Sequence, residues 1–343
     1  MAAHDLAALG PWLDAAFGPA PMGEVARVAG GQSNPTWFVT HGAARMVLRA
    51  KPLGPILPGA HAIEREFRVL SALHPAGLPV PRPIALCTDP AVIGTPFYLM
   101  ERVEGRIFAD CSLPELPRAE RSAIWMGLAD ALGALGRVDP AALGLADFGR
   151  PGGYFARQLA RWGAQRAAAR TASRADLIAL EGWLQANLPP DDGRIALVHG
   201  DFRMGNMIFH PTEPRVVAIL DWELATLGHP LADPGFVVMP WRSAPEEYGG
   251  IAGLDLAALG LPTEAAFLAR HAAAAPDIGP PGAFHRAFAL YRFAVIFLGI
   301  AERVRTGTAS DPEAQRFAPL SARFAARGLA AAAEAGLSPA RAP

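Results

Sequence analysis

The feature that most limits the folds open to this chain is a switch of periodicity near Glu101. Before it, short runs rich in Val, Phe and Leu stand between glycines and prolines, at Glu24–Val28, Trp37–Thr40, Arg45–Ala50, Ile84–Leu86 and Thr95–Glu101. That pattern reads as strands. Between the third and fourth, Ile63, Phe67, Leu70 and Leu73 recur at helical spacing within Ala60–Leu73, so one helix is expected against a small antiparallel sheet. Beyond Glu101 the periodic Ala- and Leu-rich segments Arg118–Leu135, Tyr154–Arg170, Arg174–Leu188, Thr263–Ala275, Ala283–Thr306 and Pro312–Ala335 predict helices. One exception interrupts them. Met207–Phe209 and Val216–Leu220 flank the turn-forming stretch His210–Arg215, which predicts a hairpin set between helices. The expected class is therefore α+β, with a sheet-rich part over 1–101 and a mainly helical part over 102–343. A chain of 343 residues is long enough for two such parts at about 100–200 residues each.

Charge narrows the partners. Thirty-one Lys and Arg stand against 32 Asp and Glu, a net −1, without the cationic surplus that displaces counterions from nucleic acid. The longest apolar run, Phe293–Ala301, is far short of a membrane span. The N-terminal segment carries Asp5 and no basic cluster, so it reads as an amphipathic helix and a cytoplasmic location is expected. Cys87 and Cys111 have neither CxxC spacing nor histidine partners and read as packing residues. Of the 31 basic residues only Lys51 is a lysine.

The chemistry gathers in the hairpin. Val198-His199-Gly200-Asp201-Phe202-Arg203-Met204-Gly205-Asn206 leads into its first strand, and Asp221-Trp222-Glu223 leaves its second. Asp201, Asn206 and Asp221 are hard oxygen donors at strand ends, a set that suits Mg²⁺ held together with substrate phosphates. A further carboxylate can hold an acceptor hydroxyl for attack.

This segment resembles the catalytic and metal-binding loops of the aminoglycoside phosphotransferase family, which shares the protein-kinase fold. Asp201, Asn206 and Asp221 match the pattern of an Asp, four residues, an Asn, a strand pair and a second Asp. Leu227-Gly228-His229-Pro230-Leu231-Ala232-Asp233-Pro234 is also similar. More narrowly, Gly31-Gln32-Ser33-Asn34-Pro35-Thr36, Val47-Leu48-Arg49, the stretch 58–70 and Val103-Glu104-Gly105-Arg106 resemble the kinase-like domain associated with certain acyl-CoA dehydrogenases. The resemblance spans about Gly30 to Arg303.

It implies a two-lobed fold and ATP- and Mg²⁺-dependent transfer of the γ-phosphoryl group to a hydroxyl of a small molecule. Asp201 is then the catalytic base or hydroxyl-orienting group, Asn206 and Asp221 the Mg²⁺ ligands, and Glu66 the partner of the cation gripping the α and β phosphates. Arg49 takes that last place by the Val-Leu-Arg match, with Lys51 as competitor two residues on. The two differ, because Arg grips phosphate through a planar fork and Lys as a point charge. The loop with Gly31, Ser33 and Asn34 would cover the phosphates through backbone N–H groups although it lacks GxGxxG, and no GxxxxGK[ST] loop occurs. Met100 to Val103 would read adenine.

Arg203 is placed to reach a transferring phosphoryl group or to form a surface ion pair. His199 reads as holding neighbouring loops, Asp233 as bracing the helix after it, and Glu223 as a solvated face or a second metal contact. Trp162, Tyr291, Arg292 and Phe293 resemble positions lining the family's acceptor cleft, though aromatics at helical spacing are commonly core. Arg106, Arg157, Arg161, Arg166, Arg292 and Arg303 suit an anionic acceptor, such as a hydroxylated acyl or carboxylate metabolite. An aminoglycoside, being polycationic, would call for an acidic cleft. The alternatives are an antibiotic kinase of the aminoglycoside type and a nucleotide-binding pseudokinase acting as a partner-binding module. Protein kinase activity is disfavoured by the lack of an Ala-Pro-Glu segment after Asp221.

Overall fold

The computed structural model describes residues 4–28, 34–54, 62–169, 174–307 and 314–336. The chain divides into two compact units, one of Met1–Arg106, Leu143–Leu145 and Met207–Ala225, the other of Ile107–Ala142, Ala146–Asn206 and Thr226–Pro343.

In the first unit, helix α1 (Leu9–Phe17) precedes strands β1 (Met22–Arg27), β2 (Thr36–His41) and β3 (Ala44–Ala50), then helix α2 (Ile63–Leu73), β4 (Pro83–Cys87) and β5 (Phe97–Glu101). The strands form one antiparallel sheet in the order β1-β2-β3-β5-β4. Strand periodicity divides its residues between two faces. Trp37, Val39, Met46, Leu48, Ala50, Phe97 and Leu99 pack with Leu9 and Leu13 of α1 in one buried cluster. The other face carries Arg49, directly opposite Tyr98, and Val47, opposite Met100. Helix α2 buries Ile63, Val69, Leu70 and Leu73 at helical spacing, and with them the carboxylate of Glu66. The expected start of this helix at Ala60 lies outside the described residues.

In the second unit, α3 (Arg118–Gly136), α4 (Tyr154–Ala168) and α5 (Ala175–Ala186) lead to β6 (Ala196–Val198). The hairpin strands β7 (Met207–Phe209) and β8 (Val216–Ile219) pair with Met207 opposite Ile219, and belong to the first unit. Arg106 and Phe209 exchange backbone hydrogen bonds of 2.8 Å each way. That approach requires Gly105, where a Cβ would meet the Phe209 carbonyl oxygen at 2.2 Å. Strand β9 (Thr226–Gly228) then pairs with β6 in the second unit. The sequence reading missed this pair, since a three-residue strand shows too little alternation to register.

The chain continues through α6 (Ala232–Val237), α7 (Leu256–Leu259), α8 (Glu264–Ala274), α9 (Ala283–Arg305), α10 (Ala314–Phe317) and α11 (Leu320–Ala333). The core here runs through Leu159, Leu177, Leu180, Phe236, Phe293 and Phe324, contributed by α4, α5, α6, α9 and α11. The single helix expected over Pro312–Ala335 is broken. Pro319 stands at the start of α11, where its missing N–H costs nothing but could not continue α10. No helix among the described residues is long and apolar enough to cross a membrane.

Candidate active site

In the first unit, β3 and β5 place Arg49 and Tyr98 side by side, and α2 delivers Glu66 between them. Arg49 Nε lies 2.9 Å from Glu66 Oε2, and Arg49 Nη2 lies 2.5 Å from Asp221 Oδ1 and 3.8 Å from Glu223 Oε2. Tyr98 Oη donates to Glu66 Oε2 at 3.0 Å and Asn34 Nδ2 to Glu66 Oε1 at 2.8 Å. Of the two cations considered, Arg49 is therefore the one that meets Glu66. Strand β3 stops at Ala50, so Lys51 does not repeat the orientation of Arg49, and its Nζ pairs with Glu64 Oε1 at 2.5 Å.

Asp221 follows β8 with φ 66° and ψ 62°, a left-handed conformation that Asp adopts more readily than most residues. Such conformations recur at functional sites, where surrounding structure holds them. Met100 is buried on β5, and Val103 stands just beyond the strand's end. Gly31 and Ser33 lie outside the described residues. Asn34, expected in the phosphate-covering loop, commits its side-chain amide to Glu66, as Tyr98 does its hydroxyl. Neither contact was read from the sequence. Tyr98 carried a signal nonetheless, since it is a polar-tipped residue in the apolar run Phe97–Met100.

Electrostatics follow from this crowding. Burial pushes the Glu66 carboxyl up to about 7 against the pull of Arg49, and Asp221 raises it further. Tyr98 is pushed well above the ordinary phenol value, chiefly by burial. A carboxyl near 4.5 in the unfolded chain and near 7 in the native state keeps its proton longer when folded. Its contribution to stability is thus complete below about 4.5 and lost as pH rises through about 7. In urea unfolding compared at pH 5 and pH 8, the wild type is expected to lose up to roughly 3 kcal/mol more than Glu66→Gln. Parallel pH curves for the two proteins would refute this account.

In the second unit, β6 runs into His199, Gly200 and Asp201. Gly200 takes φ 84°, open to glycine at no steric cost, and the turn is tied down from both sides. His199 N and Gly200 N donate to Asp233 Oδ2 and Oδ1 at 2.7 and 2.9 Å. Asp201 N donates to His199 Nδ1 at 3.1 Å. Asp233 thus braces the loop before Asp201, whereas the sequence suggested that it braces its own helix. Burial pushes its carboxyl up, opposed by His199 and the two amides.

The Asp201 carboxylate is gripped in turn. Asn206 Nδ2 donates to Asp201 Oδ2 at 2.8 Å and to its backbone oxygen at 2.9 Å, and Arg203 Nε donates to Oδ2 at 3.1 Å. With its NH₂ so committed, Asn206 keeps Oδ1 as the atom to offer a cation. A pocket opens beside this loop, lined by Arg203, Met204 and Gly205 together with Trp125, Phe236 and Phe293, among others. Among the described residues no Asp or Glu lines it.

Asp221 in the first unit and Asn206 in the second each carry a hard oxygen donor of the kind Mg²⁺ takes, and Mg²⁺ is held by one or two carboxylates plus substrate phosphates rather than by a protein cage. Among the described residues no cluster of three or more His, Cys, Asp or Glu forms such a cage. In the corner around Arg49, the Asp221 and Glu223 carboxylates stand 2.5 and 3.8 Å from a guanidinium that Glu66 also contacts, an acidic surplus that favours one more cation.

Comparison with known proteins gives the geometry its family. The model of the phosphotransferase enzyme family APH matches residues 24–268. Acyl-CoA dehydrogenase family member 11 of Gallus gallus is 51% identical over 215 residues, 63% of this chain and 28% of that protein. The chain therefore spans little more than a quarter of that relative's length. A solved structure from Ralstonia eutropha, described as a candidate aminoglycoside phosphotransferase, superposes with a TM-score of 0.86 at 41% identity, covering 96% of this chain and 99% of that one. Aminoglycoside phosphotransferase APH(4)-Ia, solved as a thermostable mutant in ternary complex with AMP-PNP and hygromycin B, gives a TM-score of 0.61 at 17% identity over 96% of this chain and 99% of that one. This last likeness is one of fold. With the family pattern matched over more than half its length and the fold reproduced by solved relatives, the chain belongs to the APH phosphotransferase enzyme family and has its protein-kinase-like α+β fold.

Proposed function

We propose that the chain transfers the γ-phosphoryl group of ATP, with Mg²⁺, to a hydroxyl of a small molecule, and that the acceptor is a hydroxylated acyl or carboxylate metabolite. The observation that carries the reading is the corner around Arg49. A guanidinium fixed by Glu66, with a carboxylate of left-handed backbone beside it, is the pairing of phosphate grip and metal ligand that phosphoryl transfer needs.

Residue by residue, Arg49 holds the α and β phosphates, and Asn34 and Tyr98 keep Glu66 aimed at it. Asp221 and Asn206 are the Mg²⁺ ligands. Asp201, fixed by Arg203 and Asn206, orients the acceptor hydroxyl and takes its proton, so that catalysis is mainly positioning. When bound, Mg²⁺ supplies neutralisation of the charge on the phosphate oxygens. The complex of APH(4)-Ia with AMP-PNP and hygromycin B supports an ATP-like donor and a small-molecule acceptor. The choice of acceptor rests on the cavity. Among the described residues its walls are largely apolar with Arg203 at one side and no acidic lining residue, which suits an apolar body with an anionic or hydroxylated end better than a polycationic antibiotic. The acyl-CoA dehydrogenase relative supports the same class.

Calorimetric titration of ATP with and without Mg²⁺ tests the reading. Mg²⁺ is expected to tighten ATP binding by about tenfold or more, worth about 1.4 kcal/mol per factor of ten, and Asp221→Ala is expected to abolish that gain. Equal binding with and without Mg²⁺ in the wild type would overturn the reading.

A further inference from the structure

Among the described residues the basic groups of the helical unit are mostly spoken for. Arg157 donates to the backbone carbonyls of Arg150 and Pro151, and Arg166 pairs with Glu181 at 2.5 Å. The Glu181 carboxylate also accepts from the Tyr291 hydroxyl. Arg161 and Arg292 are different. No carboxylate of the described residues lies within 4.0 Å of either, and both guanidinium groups stand over the Trp162 ring, at 5.5 and 5.7 Å from its centroid.

Two donors at this point are buried and unmatched. Arg292 Nε and Trp162 Nε1 are shut off from solvent and have no hydrogen-bond partner among the described residues, and Trp162 as a whole is 9% exposed. A buried donor left unmade costs about 1–3 kcal/mol, and native structures rarely keep two together without a reason. Aromatic stacking accounts for the position of the guanidinium, but it leaves both N–H groups without an acceptor.

The chemistry of the missing group follows from the donors. Indole and guanidinium N–H groups donate and never accept. Their complement is a group rich in acceptors and negatively charged, for which charge-assisted bonds are strongest. Tyr154 stands two turns before Arg161 on α4, and burial pushes its phenol up to about 12, with Arg292 the foremost of the charges pulling it back. The Asp233 carboxylate also feels Arg292, but both its oxygens are already engaged by the amides of His199 and Gly200.

The place is tied to the chemistry through α6. Arg292 lies 5.2 Å from the centroid of the Phe236 ring, and Phe236 lines the cavity beside Arg203. We propose that Trp162 and Arg292, with Arg161 over the same ring, form an anion-binding site that takes a carboxylate or phosphate group carried by the acceptor. The site stands on its own geometry, and only the word acceptor rests on the phosphotransferase reading.

The test follows the indole N–H signals of the ¹⁵N-labelled full chain while inorganic phosphate or butyrate is added at constant ionic strength, without nucleotide. Trp162→Phe, which keeps an aromatic ring in place, identifies the Trp162 signal. That signal is expected to shift and saturate below about 10 mM of one of the two anions, and to need at least tenfold more in Arg292→Met, which keeps an aliphatic stem of similar length. Saturation by phosphate alone identifies a phosphorylated ligand, and saturation by butyrate alone a carboxylate. A Trp162 signal moved by neither anion, or moved equally in Arg292→Met, overturns the proposal. Because no ATP is present, such a failure together with Asp201-dependent ATP turnover would remove the anion site and leave the phosphotransferase reading standing. A saturable anion with no Mg²⁺-dependent ATP binding would do the reverse.

Discussion

Asp201→Asn is expected to lower ATP-dependent phosphotransfer by about 10²–10⁴-fold while leaving Mg²⁺–ATP affinity nearly unchanged. The substitution preserves shape and removes the chemistry. Oδ2 now accepts from both Asn206 Nδ2 and Arg203 Nε, so an amide turned with its NH₂ toward them would face two donors. Turned the other way, it would present NH₂ to the acceptor hydroxyl and could not take its proton. Nothing in the Arg49 corner changes, so nucleotide binding persists while turnover falls. ADP release at saturating acceptor and ATP calorimetry on the same preparation separate the two quantities. A variant that turns over at the wild-type rate would take Asp201 out of the reaction.

Arg49→Met carries the largest expected effect on stability, a loss of about 3–5 kcal/mol without nucleotide. The Glu66 side chain is 2% exposed and that of Arg49 14%, so removing the guanidinium strands a carboxylate that water cannot reach. The loss is expected to be greater at pH 8 than at pH 5, where the stranded carboxyl can take a proton. Arg49→Met combined with Glu66→Gln is expected to regain much of it, because Gln keeps an acceptor for Asn34 and carries no charge. Arg49→Lys is expected to fall between, since an ammonium cannot span Glu66 and Asp221 as the fork does. Denaturant unfolding of the four proteins checks the order. A single variant as stable as the double would show that the pair is not what holds this corner.

The strands of the sheet were legible because each is a run of five to seven residues, in or beside stretches rich in Val, Phe and Leu, between turn formers, and the long helices because their apolar spacing repeats over several turns. Shorter elements were not. Strand β9 and helix α6 are three and six residues long, and their place is set by partners far along the chain. The same limit shaped the reading of individual residues. Asp201, Asn206 and Asp221 stood out because polar groups at the ends of apolar strands break a local pattern. The hold of Asp233 on the loop before Asp201, and of Asn34 and Tyr98 on Glu66, crosses more than thirty residues, where no local spacing reports it. The bracing given to Asp233 was therefore assigned to its own helix, when the partners lie in the turn after β6.

The ending of β3 at Ala50 has a practical side. It turns Lys51 toward Glu64, leaving that side chain 23% exposed, and no other lysine occurs in the sequence. An amine-directed reagent thus has one side-chain target, two residues from Arg49 on the same stretch of backbone. A fluorophore or mass tag on a side-chain amine would sit at that one position in every molecule, without any cysteine having to be introduced or removed.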